Sequence, residues 1–413
     1  MHLRPSRLLA TLPLLLTLLL PRVGSAAPSR LHTQGIQIVD EQNHPFVLRG
    51  INLGGWLVEE PWMMPLQTKP PTGSDRPPIR DNRSLWSVVE ARLGPAGRER
   101  VQAAFRQDWL NEGDFDRIKA AGLNCVRLPF LASMIEGPDG FKYLDEAVAW
   151  AGKRGTYVIL DMHGAPGSQS GEGHTGVAGR SEFFKDPANV TRAERLWTQI
   201  ARRYRDSPAV AGYDLINEPT ATPGSDTLYV VMDRLYRAVR AGDPTHLIFI
   251  EDGYTGLHWM PFPGPCGWTN VVYSGHYYQF GAKSPDDHRK AFHDFLASID
   301  KERTARQVPF YVGEFAFEPA GNAEAEGQLL KEMDGMGISW SQWTYKVIFG
   351  GAGGLTLWSL VGNPKPVPPL DPYRDSEAEL IRKSAGVRSE NLAQNDALTR
   401  ALRGEAAPPQ PAH

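Results

Sequence analysis

Short, almost wholly apolar runs recur along the chain, separated by stretches with helical spacing. The runs NCVRLPF, TYVILDM, AGYDLI, HLIFIE, NVVYSGHYY, PFYVGEF and GISWSQWTY read as strands, and Val47–Leu53 precedes them. Apolar residues recur at three- and four-residue spacing over Leu144–Arg154, Thr191–Tyr204, Asp226–Ala241, Asp287–Asp300 and Ala323–Met333, which predicts helices. Strands without an in–out alternation belong to a parallel sheet covered on both faces. Eight of them, each followed by a helical or loop crossover, predict an α/β fold, a single-domain (β/α)8 TIM barrel with loop insertions. An open doubly wound sheet is the alternative. It calls for a Gly-rich phosphate turn after the first strand, which GINLGGWL matches poorly.

The flanks add detail. GIQIVDEQNHPFVLRGINLGGWL reads as two short strands joined by a polar turn, a short N-terminal β-hairpin that runs into the first barrel strand. An insertion then carries the Pro-rich TKPPTGSDRPPIRD and helical spacing from Leu85 to Ala121. At the start, Arg4 and Arg7 precede an apolar run, Leu8–Leu20, and small residues up to Ala26. This three-part pattern predicts a signal peptide over 1–26. A membrane anchor is the alternative, but the run is broken by Pro13 and is short of the ~20 residues a span needs. The barrel domain is expected over 27–386. The tail 387–413, ending RGEAAPPQPAH, reads as Pro/Ala-rich and disordered. The expectation is a secreted monomer (extracellular or periplasmic), free of the membrane once the signal is cleaved.

Composition changes this picture little. Hydrophobic content of 41% and charged content of 22% are ordinary for a soluble globular protein, and a net charge of −3 gives no reason to expect a nucleic-acid partner. Eleven tryptophans among many Gly and Pro residues suit an aromatic-lined, loop-rich carbohydrate cleft. The two cysteines, Cys125 and Cys266, leave a disulfide open, and Cys125, in an apolar strand, reads equally as a buried free thiol. No metal-type Cys/His spacing and no HExxH occurs, so neither metal nor cofactor is expected.

In a barrel the carboxyl ends of the strands converge on one site. The polar residues there are Arg127, His163, Asn217, Glu218, His276, Tyr278, Glu314 and Trp343. Glu218 in YDLINEPT and Glu314 in YVGEF close the fourth and seventh strands and read as the one pair of strand-end glutamates. Two facing carboxyls, one protonated and one ionised, suit glycosidic-bond cleavage. Either glutamate alone reads as well as a strand-end ion pair; both together, with the histidines, outweigh that reading. Asn217 suits a sugar 2-hydroxyl. Arg127 suits a clamp on the ionised glutamate or a buried structural pair. His163 and His276 suit donors to sugar hydroxyls or to the glutamates. Tyr278 and Trp343 suit sugar platforms or plain packing. His174 and Glu172, in the Gly-rich loop after the third strand, are rim contacts or solvated residues.

Together LRGINLGGWL, AAGLNCVRLP, LDMHGAPGSQSG, YDLINEP, GHYY, YVGEF and WSQWTYK, in this order, resemble glycoside hydrolase family 5 of the cellulase-like clan. GGWLVEEPW, WLNEGDF and HGAPGSQ are most similar to its exo-β-1,3-glucanase branch. The resemblance implies Glu218 as acid/base and Glu314 as nucleophile of a retaining enzyme. It also implies supporting or substrate-binding roles for Arg127, His163, Asn217, His276, Tyr278 and Trp343, and for Glu60 as a sugar-binding glutamate beside the ambiguous Glu59. Three segments depart from the branch: SGEGHTG lacks its aspartate, LPFLASMI loses two aromatics, and VIFGGAGGLTLWS replaces its usual loop. All three bear on the sugar-binding rim and leave the chemistry intact. The expectation is a β-glycosidase acting on a β-linked glucan or glucoside without a cofactor. A transglycosylating or glycolipid-cleaving relative, and a non-catalytic glycan-binding barrel, are the alternatives.

Overall fold

A computed structural model describes residues 28–349 and 354–405, and the predicted signal peptide lies outside them. The described residues open with a hairpin, β1 (His32–Gln34) against β2 (Gln37–Val39), turning at Gly35, which has φ +57°. The polar segment after Val39 makes a second turn that bridges Val39 to Pro45. The hairpin therefore lies one segment earlier than the polar turn implied.

Eight parallel strands then close a barrel: β3 (Arg49–Asn52), β4 (Cys125–Leu131), β5 (Tyr157–Gly164), β6 (Val210–Asp214), β7 (Leu247–Glu251), β8 (Val271–Tyr278), β9 (Phe310–Ala316) and β10 (Ser339–Gln342), the last paired to β3. Every residue of β4, β5, β6, β7 and β9 is buried, which is why these runs are apolar without alternation. The two-residue period still sorts them. Cys125, Ile159, Phe249, Val272 and Tyr311 form one cluster inside the barrel. Val126, Val158, Leu160 and Ile250 join the larger core with the helices. The hairpin covers the amino end: Leu31 and Ile38 join the inner cluster, and the Thr33 N–H donates to Asn270 Oδ1 (3.0 Å).

The helices are α1 (Asn82–Trp109), α2 (Glu112–Ala120), α3 (Ala132–Ile135), α4 (Lys142–Gly152), α5 (Pro187–Tyr204), α6 (Ser225–Arg240), α7 (Pro263–Cys266), α8 (Pro285–Arg306), α9 (Ala323–Met336), α10 (Glu377–Ser384) and α11 (Asp396–Leu402). Side chains of Asp81, Asn111, Asp186, Ser284, Asn322, Ser376 and Asn395 cap seven of them, satisfying N–H groups that lack intrahelical partners. The helical stretch Leu85–Ala121 is divided: Gly94, at φ +71°, and Pro95 kink α1, and Asn111 starts α2. No described helix is long and apolar enough to cross a membrane.

The tail corrects the sequence reading. Residues 387–405 are ordered onto the barrel. The short strand Ala393–Gln394 pairs with Val361–Gly362, which also pairs with Lys346–Val347, in a small sheet beside the barrel. In α11, Leu398, Ala401 and Leu402 are buried, and Ala401 lies against Gly327 of α9, where an added Cβ would come within 3.2 Å. A capped amphipathic turn precedes the Pro/Ala-rich composition, which begins only after Glu405, outside the described residues. Cys125 and Cys266 are both free thiols, the first buried in the inner cluster.

Candidate active site

The carboxyl ends of the strands surround a buried arginine, Arg127 of β4. Its Nε donates to Asp214 Oδ2 (2.9 Å). One terminal nitrogen donates to Glu314 Oε1 (2.7 Å) and Asn52 Oδ1 (3.1 Å), and the other to Asn217 Oδ1 (2.8 Å) and Glu251 Oε1 (3.3 Å). Asp161 Oδ2 is 3.2 Å away. One guanidinium thus ties together β3, β4, β5, β6, β7 and β9, which its planar fork of donors allows and a lysine could not do. Burial nevertheless pushes Asp161 and Asp214 up to about 6 and Glu251 up to about 8, against the pull of Arg127.

Glu314 closes β9. Arg127 holds its Oε1, and the Tyr278 hydroxyl donates to its Oε2 (2.9 Å). A register shift between Gly275 and His276 lets β8 present His276 beside Glu314 and Tyr278 beside Ala316. Glu218 follows β6 in a left-handed conformation, φ +41°, and its N–H donates to Glu251 Oε2 (2.8 Å). Its Oε1 accepts from His276 Nδ1 (2.8 Å) and the Tyr254 hydroxyl (2.9 Å), and its Oε2 is 3.6 Å from His174 Nδ1. Burial raises the Glu218 carboxyl, but the hydrogen bond and charge of His276, the charge of His174 and the Tyr254 hydroxyl outweigh it and hold it down at about 2. Burial lowers His276, yet the charges of Glu251 and Glu314 and the bond to Glu218 hold it well above the usual histidine range.

The other expected residues join the same site. Asn217 Nδ2 and His174 Nδ1 are hydrogen-bonded neighbours (3.2 Å), as are His174 Nε2 and Ser170 Oγ (3.0 Å). His163 Nδ1 donates to Asp161 Oδ2 (2.7 Å), and burial holds this imidazole neutral. Its ring stacks on Trp343, centroids 5.6 Å apart and planes 12° from parallel. Glu60 accepts from Trp62 Nε1 (3.0 Å) through one oxygen, while the other is buried without a partner. Burial, with Glu314 and Glu218 nearby, pushes its carboxyl up to about 8. Glu59, by contrast, faces away and accepts from Arg106 Nε (3.0 Å) and from Asn82. A cavity of about 620 Å³ opens here. Glu60, His163, Glu218, Tyr278, Glu314 and Trp343 line it, with Glu172, His174, Tyr254, Phe280 and Trp358 at its rim.

The reading of Glu218 and Glu314 as the one pair of strand-end glutamates is wrong. HLIFIE also ends in a glutamate, and Glu251 is buried between Arg127, His276 and the Glu218 backbone. Its position as the last residue of an apolar run was the available signal. Asp161, Asp214 and Asn52 sit within apolar runs, and burial of a polar group inside such a run marked them equally. Tyr254 lies in a turn with no such signal.

Glu218, His276 and Glu314 also bring one oxygen, one nitrogen and one oxygen within 4.8 Å of one another, close enough for a cation. Hydrogens from His276 and Tyr278 already point at those carboxylates. Two carboxyls this close, each held by its own donors at the mouth of a sugar-sized cavity, define a glycoside-cleaving barrel. Residues 95–347 match the family model described as Cellulase (glycosyl hydrolase family 5). The chain is 31% identical over 351 residues to a beta-xylosidase of Phanerodontia chrysosporium, a match covering 77% of this chain and 71% of that protein. It is 32% identical over 322 residues to a probable glucan 1,3-beta-glucosidase A of Aspergillus niger, covering 73% and 72%. The solved rutinosidase from Aspergillus niger shares the fold, with a TM-score of 0.58, 18% identity and coverage of 76% of this chain and 93% of that one. The chain belongs to glycosyl hydrolase family 5 and is a glycoside hydrolase.

Proposed function

We propose that the protein is a secreted, retaining β-glycosidase that hydrolyses a β-linked glucan or glucoside, with Glu314 as nucleophile and Glu218 as acid/base. The observation that carries this is the approach of Glu218 and Glu314, with one oxygen of each within 4.8 Å. Direct attack on the sugar needs carboxyls about 5–5.5 Å apart, whereas inversion leaves about 6.5–9.5 Å for a water. Arg127 and Tyr278 hold Glu314 on both oxygens, which suits a nucleophile fixed in one orientation.

In the first step Glu314 attacks the anomeric carbon and the leaving oxygen takes a proton from Glu218. The proton leaves from the carboxyl oxygen that faces the leaving group, and His276, 2.8 Å from the other oxygen, sets how readily Glu218 gives it up. In the second step ionised Glu218 takes a proton from water, which attacks the glycosyl ester and frees Glu314. Asn217, held by Arg127 and His174, and Glu60, with one unpaired oxygen, would bind hydroxyls of the reacting sugar. Similarity to a beta-xylosidase and a probable glucan 1,3-beta-glucosidase supports a glucose- or xylose-configured glycone.

Mature protein is assayed on laminarin, lichenan, carboxymethyl-cellulose, mannan and nitrophenyl β-glucoside and β-xyloside, with a Glu314→Gln control and the anomer of the first product followed by NMR. We expect product of retained β configuration, reduced by roughly 10³-fold or more in the control. An inverted product, or a fully active control, overturns the assignment.

A further inference from the structure

The turn after β7 carries a tyrosine placed with unusual care. Asp252 Oδ1 accepts the Tyr254 N–H (3.2 Å), and the Asp252 carbonyl accepts the N–H and hydroxyl of Thr255 (3.1 and 2.7 Å). Gly253 and Tyr254 both have φ +57°. Glycine adopts that conformation freely; a tyrosine does so only where its surroundings compel it. The turn leans on the Asn-Glu-Pro segment, since a Cβ at Gly253 would lie 3.0 Å from Pro219 Cγ. As a result the Tyr254 ring stands at the cavity mouth, 54% exposed, with its hydroxyl on Glu218 Oε1.

A carboxylate oxygen has two lone pairs. Those of Oε1 are taken by His276 and Tyr254. Oε2 is then the oxygen left to face a leaving group. Tyr278 bonds Glu314 and Tyr254 bonds Glu218, so a leaving group that takes its proton from Glu218 lies next to the Tyr254 ring.

We propose that Tyr254 is a positioning residue whose hydroxyl aims Glu218 Oε2 at the leaving oxygen and whose ring walls the leaving-group site, favouring flat-faced leaving groups such as a sugar ring or an arene. This rests on the reading of Glu218 as acid/base. A donor to Glu218 favours its ionised form, so removing the hydroxyl raises the pH at which Glu218 holds its proton. The other groups that act on Glu218, namely His174, Glu251, His276, Glu314 and Glu60, stay in place.

The test compares wild type, Tyr254→Phe and Tyr254→Ala on 2,4-dinitrophenyl and phenyl β-glucosides and β-xylosides, recording kcat/KM against pH and melting temperature. A dinitrophenolate leaves without a proton, whereas a phenolate needs one. For Tyr254→Phe we expect an unchanged melting temperature, a change within about twofold on the dinitrophenyl substrate and a loss of about tenfold on the phenyl one. The basic limb should move about half a pH unit or more upward. Tyr254→Ala should also raise KM for a disaccharide by about threefold or more. Equal losses on both leaving groups with an unmoved basic limb overturn the proposal. A wild-type enzyme inactive on every β-glycoside rejects the acid/base reading first, and this one with it.

Discussion

Arg127 shows how one residue serves fold and chemistry together. It is fully buried and bonds or pairs with Asp161, Asp214, Glu251 and Glu314. Removing one member of such a group leaves the rest uncompensated in a dry interior. Arg127→Met is therefore expected to cost about 3–5 kcal/mol, read from urea unfolding. Arg127→Lys keeps the charge but loses the fork that reaches Asp214, Asn52, Asn217 and Glu314 at once. It should recover much of that stability and still lose about tenfold or more in kcat. A fully active Lys variant would show that the charge alone suffices.

Among the elements, the joint between the insertion and the loop after β5 shapes the rim. Asp81 caps α1 through Oδ1, accepting the Ser84 N–H (2.7 Å), and anchors the facing loop through Oδ2, accepting the Ala178 N–H (2.7 Å). The Arg83 N–H also donates to the Gly176 carbonyl (3.0 Å). That loop carries Glu172 and His174 into the cavity. Asp81→Ala removes both bonds and should cost about 1–2 kcal/mol of stability. Because the loop lines the substrate site while Glu314 sits on β9 and Glu218 just past β6, steady-state kinetics should show KM rising more than kcat falls. A fall in kcat alone would contradict this division.

For the whole molecule, the carboxyls collected at one barrel end set the pH dependence of stability. Glu60, Asp161, Asp214 and Glu251 bind their protons more tightly folded than unfolded, at about 8, 6, 6 and 8 against ordinary values of 4.5, 3.8, 3.8 and 4.5. Above their unfolded values the folded state holds more protons, so stability falls with rising pH. Their contribution is fully present below about 4 and is lost as pH rises through about 6 to 8. His276, also raised, acts in the same direction. Glu218, lowered to about 2, acts oppositely: its contribution is present above 4.5 and lost as pH falls toward 2. His163, held low by burial, also favours higher pH, so the melting temperature should peak between about 4.5 and 6.5 and decline toward pH 8. A calorimetric maximum at pH 7 or above would refute this balance of charges.

The barrel was legible because burial on both faces leaves runs such as TYVILDM and PFYVGEF almost purely apolar, and their number and order need no tertiary information. The same purity made His163, Asn217, Glu218, His276 and Glu314 conspicuous where the runs end. Composition misled at the tail, since α11 precedes the Pro/Ala-rich stretch and is held by a cap and a leucine stripe. Other features depend on which chain segments meet. Glu251 and Glu218 are far apart in sequence but share a hydrogen bond. Glu60 and Glu59 differ only in which way each neighbour points. Tyr254 reaches Glu218 through a left-handed turn that no apolar pattern records. Periodicity encodes burial, so the sequence by itself determined the strands and the residues at their ends. The direction of a carboxylate, the proton it shares and the wall it faces are set by three-dimensional neighbours, and only the tertiary structure decided them.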